Sequence, residues 1–263
     1  QCMEMASAAT PKLDVERILF GWFPTYRSNS PLTPAFDRVL SVGDASAVQS
    51  PISFGGFCAM LRHLPRYTRG LDAALREDRL RRDDLARLAP YLPNLGTAWL
   101  SVSAMTARAT QDNGAAVAPL GARAQLGADE PYTLVNELLS GNFKVMANLP
   151  RQEALVFFRD VTRLGTLAAV LAGQTATMAP ILPRVMVELV EPLELAEFTF
   201  HFTMLGLYTL LHAACRTAQI KPANFRQQSY LDALAFGSGL EAVDGGSLPP
   251  VEPLPATSVG QRR

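Results

Sequence analysis

The chain has 263 residues, a length that allows one large domain or two small ones. Its 24 Lys and Arg are balanced by 24 Asp and Glu, so it lacks the basic field by which nucleic-acid binders are recognised. Hydrophobic residues make up 48%, charged residues 18%, and mean hydropathy is +0.10, a globular composition that leans towards membranes.

Residues 1–14 are small and polar and read as a frayed start. Apolar runs at 17–23 and 38–42 predict two strands, the second formed by Val39, Leu40 and Val42 running up to a Gly breaker. Between them, FPTYRSNSPLTP holds three prolines and predicts a loop with little regular hydrogen bonding. Its Tyr26 and Arg27 suit either a place near a ligand or a solvent-facing rim.

The next stretch carries the most chemistry. Gly43-Asp44 follows the second expected strand, at the C-terminal end where α/β sheets place their ligands. The Asp44 carboxylate is an acceptor, suited to sugar-alcohol hydroxyls. Pro51 stiffens the loop that follows, and Gly55-Gly56 let a backbone approach a planar ligand without a Cβ in the way. A helix opening near Gly56 points N–H groups and a partial positive charge at that ligand. This order suits the ribityl chain and ring of a flavin. His63, beside Pro65, reads as the cap that ends this helix, a ligand-facing position being the alternative.

From Arg66 to Leu88 the pattern predicts two short amphipathic helices, with Asp83-Asp84 on a solvated face among Arg81, Arg82 and Arg87. Trp99 is expected as a core anchor. Residues 106–130 are rich in Ala and Gly and predict a disordered insertion. A helix then restarts with Asp129 as N-cap and Pro131 in its first turn, burying a stripe of Val135, Leu138, Leu139, Phe143 and Met146. Pro150 separates it from another helix, expected to run through Leu164.

Two stretches bear on membranes. Residues 164–183 and 198–215 carry no formal charge. They suit helices buried in a helical subdomain, true spans, or a face lying in the bilayer surface. His201 and His212 in the second share a helix face but lie eleven residues apart, about 16 Å along the axis, too far for one metal ion. Gly237-Ser238-Gly239 reads as a loop, and the Pro-rich stretch from Gly245 as a disordered tail.

Cys2, Cys58 and Cys215 are far apart and odd in number, so neither a disulfide framework nor a zinc site is indicated, and a reducing compartment is implied. GxSxG, GxxxxGK[ST] and HExxH are all missing from the sequence.

The segments FPTYRSNSPL, FDRVLSVGDAS, QSPISFGGF and RHL resemble the lycopene-cyclase-like FAD-dependent oxidoreductases of plants and algae, flavoproteins built like p-hydroxybenzoate hydroxylase. The likeness continues through PYLPNLGTAWL, VNELLSGNF and HFTMLGLYTLL. Cys58 stands where such relatives are expected to carry a further Gly. The resemblance implies bound FAD, with Gly43 and Asp44 at the ribityl and phosphate region and Pro51, Ser53, Gly55 and Gly56 at the ring. It also implies a lipophilic isoprenoid-like substrate, attachment to membranes and a plastid location.

A nucleotide-binding G-x-G-x-x-G turn near the N-terminus is missing, and the chain opens on Gln1. The expectation is therefore the C-terminal part of an α/β FAD-binding fold, without its dinucleotide-binding half. Such a piece would be mainly α with a small β remnant and inactive alone. Residues 1–65 would complete the FAD-binding domain, 66–236 form a helical, membrane-facing region, and 237–263 a disordered tail. A cofactor-free, membrane-associated helical module or a protein-interaction domain is the alternative.

Overall fold

The structure, a computed structural model, describes residues 17–18, 24–27, 33–52, 55–105, 130–158 and 161–241. Residues 106–129 of the expected insertion, Asp129 among them, Cys2, Ser53 and the expected tail beyond Glu241 lie outside these residues, whereas Glu130 and 237–238 are helical.

The described residues are mainly helical, as expected, and contain no strand. The β remnant is therefore corrected. Arg17 and Ile18 are exposed and outside any regular element, and 19–23 lie outside the described residues. Arg38 turns back at φ 63°, and its N–H bonds to Leu80 O at 2.7 Å. Val39 and Val42 are 55% and 52% exposed. An apolar β-branched run needs a neighbouring strand to satisfy its backbone, and none lies alongside among the described residues. Gly43–Ser46 then coils into a 3-10 turn closed by Ala47 at φ 51°.

Helix α1 spans Gly56–Arg76 and runs straight through Pro65. The break expected there does not occur, and His63 lies mid-helix, completely buried, rather than at a cap. Short helices α2 (Arg82–Leu85), α3 (Pro93–Gly96) and α4 (Ala98–Met105) follow. Asp84 is buried between Arg87 and Arg226, at 3.9 and 3.8 Å, whereas the solvated face expected for the pair holds only for Asp83.

The second half comprises α5 (Glu130–Ala147), α6 (Arg151–Phe158), α7 (Leu164–Met178) and α8 (Leu182–Glu188). It ends with α9 (Pro192–Thr217) and α10 (Phe225–Ser238). The chain leaves helical geometry at 161–163, so the helix expected through Leu164 is two. Glu191 and Glu194 form a reciprocal capping box around Pro192, which sets the start of α9. The Asn224 side chain accepts from Gln227 N at the start of α10, and Gly237-Ser238-Gly239 is the end of that helix rather than a loop.

Helix α9 packs against α10, α3 and α4, α5 against α7, and α10 against α1. One core gathers Leu134, Leu138, Met178, Val185 and Leu189 between α5, α7 and α8. A second holds Tyr26, Leu92, Leu95 and Phe236; a third holds Ala74, Leu85, Leu88 and Phe225. No helix among the described residues is long and apolar enough to cross a membrane. The 164–183 stretch is interrupted by a turn after Met178, and the 198–215 stretch buries His201 and His212 inside the protein.

Candidate functional site

The loop from Gly43 to Ser50 has two functional faces. On the outer one, Asp44 is exposed and stands against the start of α1. A Cβ placed on Gly56 would fall 2.2 Å from Asp44 Oδ1, so only glycine permits this approach. Gly55, as N-cap, has no side chain to offer the helix, and N–H groups of a first turn have no intrahelical acceptor. The carboxylate therefore faces the positive end of a 21-residue helix. Gly43 lies beside the Met60 thioether. Gly43, Asp44, Gly55 and Gly56 are thus brought to one junction, whereas Pro51 is fully buried and shapes the loop from beneath. Cys58 is exposed and free rather than packed.

For a flavin, this junction supplies a hydroxyl acceptor at Asp44, a helix start and a bare Cα at Gly56. These suit the ribityl and pyrimidine end. A βα turn for the pyrophosphate is not found among the described residues. Nor do these residues hold a group of three His, Cys, Asp or Glu able to bind a metal ion.

The inner face of the loop covers a cavity of about 60 Å³ bordered by Tyr26, Ser46, Val48, Arg66 and Tyr91, with Arg27 also on its wall. Tyr26 is fixed from several sides. Its N–H donates to Gln49 O at 3.0 Å, its hydroxyl accepts from Leu92 N at 2.7 Å, and its carbonyl accepts from Trp99 Nε1 at 2.9 Å. Burial raises its pKa well above the usual phenol value, so the hydroxyl keeps its proton. Trp99 thus anchors the 24–27 segment, and the Arg27 guanidinium lies 5.1 Å above its ring.

Arg66 is 1% exposed, and nothing in the sequence reading marked it. Its Nε donates to His63 Nδ1 at 3.3 Å and Nη1 to Leu88 O at 2.6 Å, while Nη2 meets no acceptor. The guanidinium also lies over the rings of Tyr67 and Phe236. The spacing of Arg62, Arg66 and Arg69 puts all three on one helix face, a sequence signal for cations directed inwards.

No protein-family model matches the chain, and no curated protein and no solved structure matches it.

Tyr91 links this cavity to a second one of about 130 Å³, bordered by Arg27, Trp99, Glu194, Glu197 and His201. Tyr91 Oη and His201 Nδ1 share a hydrogen bond of 2.6 Å. Burial lowers the pKa of His201 and raises that of Tyr91, so both favour their neutral forms. Gly96 makes the contact possible, since a Cβ there would lie 2.7 Å from His201 Nδ1. A third cavity of about 460 Å³ borders Leu149, Pro150, Glu153, Arg163, Thr166 and Thr209, sharing no wall residue with the other two.

Proposed function

We propose that the chain is the C-terminal portion of a lycopene-cyclase-like FAD-dependent oxidoreductase or flavin-dependent cyclase, working on an apolar isoprenoid-like substrate at plastid membranes. The meeting of Asp44 with the Gly56 helix start supports this most directly. FAD, when bound, supplies reversible two-electron chemistry. Asp44 accepts a hydrogen bond from a ribityl hydroxyl, and the Gly55-Gly56 end of α1 stabilises negative charge at the pyrimidine edge. The cavity of about 460 Å³ suits part of a lipophilic substrate.

Titration of FAD against full-length wild-type and Asp44→Ala proteins tests this reading. The substitution should weaken binding roughly ten- to a hundred-and-fifty-fold, or about 1.5–3 kcal/mol for a lost charged hydrogen bond. Stability without FAD should change far less. Equal FAD content in both proteins removes the reading.

A cofactor-free interaction module is favoured by a different observation. Leu193, Phe200 and Leu207 recur at heptad spacing on α9, with exposures of 69%, 56% and 44%. A full-length protein without flavin absorbance would favour this second reading.

A further inference from the structure

We propose that the cavity behind the Gly43–Ser50 loop binds a monocarboxylate, with Arg66 as its charged anchor and the Tyr26 hydroxyl as its second donor. The inference is independent of the flavin reading, which concerns the other face of the loop.

Charge is the first support. Helix α1 directs Arg62, Arg66 and Arg69 towards α10 and the residues just after it, where Asp232 and Glu241 are available. Arg62 pairs with Glu241, and Arg69 pairs with Asp232 at 2.9 Å. Arg66 forms no salt bridge of its own among the described residues, although it is the most buried of the three, and the carboxylate that acts on it, Asp232, is already paired with Arg69. A buried guanidinium that must share its counter-ion is costly, and an anion entering the cavity would lower that cost.

The second support is donor geometry. Nη2 meets no acceptor in hydrogen-bond geometry, although the Tyr67 hydroxyl lies close to the guanidinium. The Tyr26 oxygen accepts from Leu92 N–H, which leaves its own proton without an acceptor among the described residues. The wall holds two cations, Arg66 and Arg27, and no Asp or Glu. Donors and positive charge therefore border a space whose described wall holds no carboxylate to match them.

Size and charge select the anion. A volume of about 60 Å³ admits one small polar group. One buried cation matches a single negative charge, which favours a carboxylate over a dianionic phosphate. Val48 and Leu92 on the wall suit an apolar body attached to it.

The test is thermal stability of the full chain titrated with sodium acetate, against acetamide, sodium chloride at matched ionic strength, and sodium phosphate. A saturable rise with acetate alone is expected. Arg66→Met and Tyr26→Phe should each weaken apparent acetate affinity at least about tenfold. Arg27→Gln, a change at an exposed residue, should weaken it about threefold. If Arg66→Met does not fold, the other two variants decide. Acetate acting no better than chloride, acetamide acting equally well, tighter binding of phosphate, or unchanged affinity in the folded variants would each overturn the assignment.

Discussion

His63 shows how one buried side chain makes stability depend on pH. Its ring stacks on Phe236 with centroids 5.1 Å apart, and Nδ1 accepts from Arg66. Burial, and then the charges of Arg66 and Arg62, push its pKa well below 6.5. Below pH 6.5 the unfolded chain takes up a proton that the folded chain refuses. Stability is therefore full above that pH and falls as pH drops towards the lower folded value, by up to about 1.4 kcal/mol per pH unit. Urea unfolding at pH 7.5 and 5.5 measures the effect. His63→Gln keeps an acceptor but does not titrate, so it should lose about 1 kcal/mol less than wild type over that interval. An identical loss in the two proteins would contradict the assignment.

Helix α1 carries Pro65 in its interior, which removes the bond from residue 65 to the Leu61 carbonyl. A proline in such a place costs about 3 kcal/mol, partly offset by a stiffer unfolded chain. Pro65→Ala should therefore stabilise the protein by about 1–2 kcal/mol, seen as a higher urea midpoint at unchanged slope. A midpoint at or below wild type would mean that the proline shapes the helix for its packing. Proline alone predicts a helix end here, whereas buried Ala59, His63, Arg66, Tyr67 and Gly70 carry one face across it. Helix α5 teaches a related lesson. Of its expected stripe of Val135, Leu138, Leu139, Phe143 and Met146, Leu138 is buried, but the other buried positions are Leu134, Gly141 and Val145, and Phe143 is exposed. The helix is rotated because Met178 sits against Gly141, where a Cβ would be 2.0 Å from its sulfur. A pattern of apolar residues gives no weight to a glycine, although neighbouring helices seek it. The Asp44–Gly56 junction was legible because its partners are twelve residues apart. Arg66, Tyr91 and His201 come together from distant segments, and local pattern does not join them.

At the scale of the whole molecule, α10 closes onto α1 along a seam of unlike bonds. Phe225 N donates to Glu77 Oε1 at 2.7 Å, Arg69 pairs with Asp232, and Arg62 binds both Glu241 and the Phe236 carbonyl. Asp232 is buried while Arg69 is half exposed, so Asp232→Asn should cost about 1–2 kcal/mol. A contact formed after the folding transition state raises the unfolding rate when lost, about five- to thirtyfold for such a cost, and leaves refolding nearly unchanged, which is the outcome expected for this seam. Stopped-flow kinetics would show it, and a slowed refolding limb would instead place the seam in the folding nucleus. The seam's bonds join residues 148, 163, 174 and 179 positions apart in the chain. The entropy of closing so large a loop grows only with the logarithm of its length, by about 0.6 kcal/mol for each doubling. Twenty further residues between α1 and α10 would thus shift closure by only on the order of 0.1 kcal/mol, far less than one lost carboxylate. The span between these two helices is a place where the chain tolerates growth.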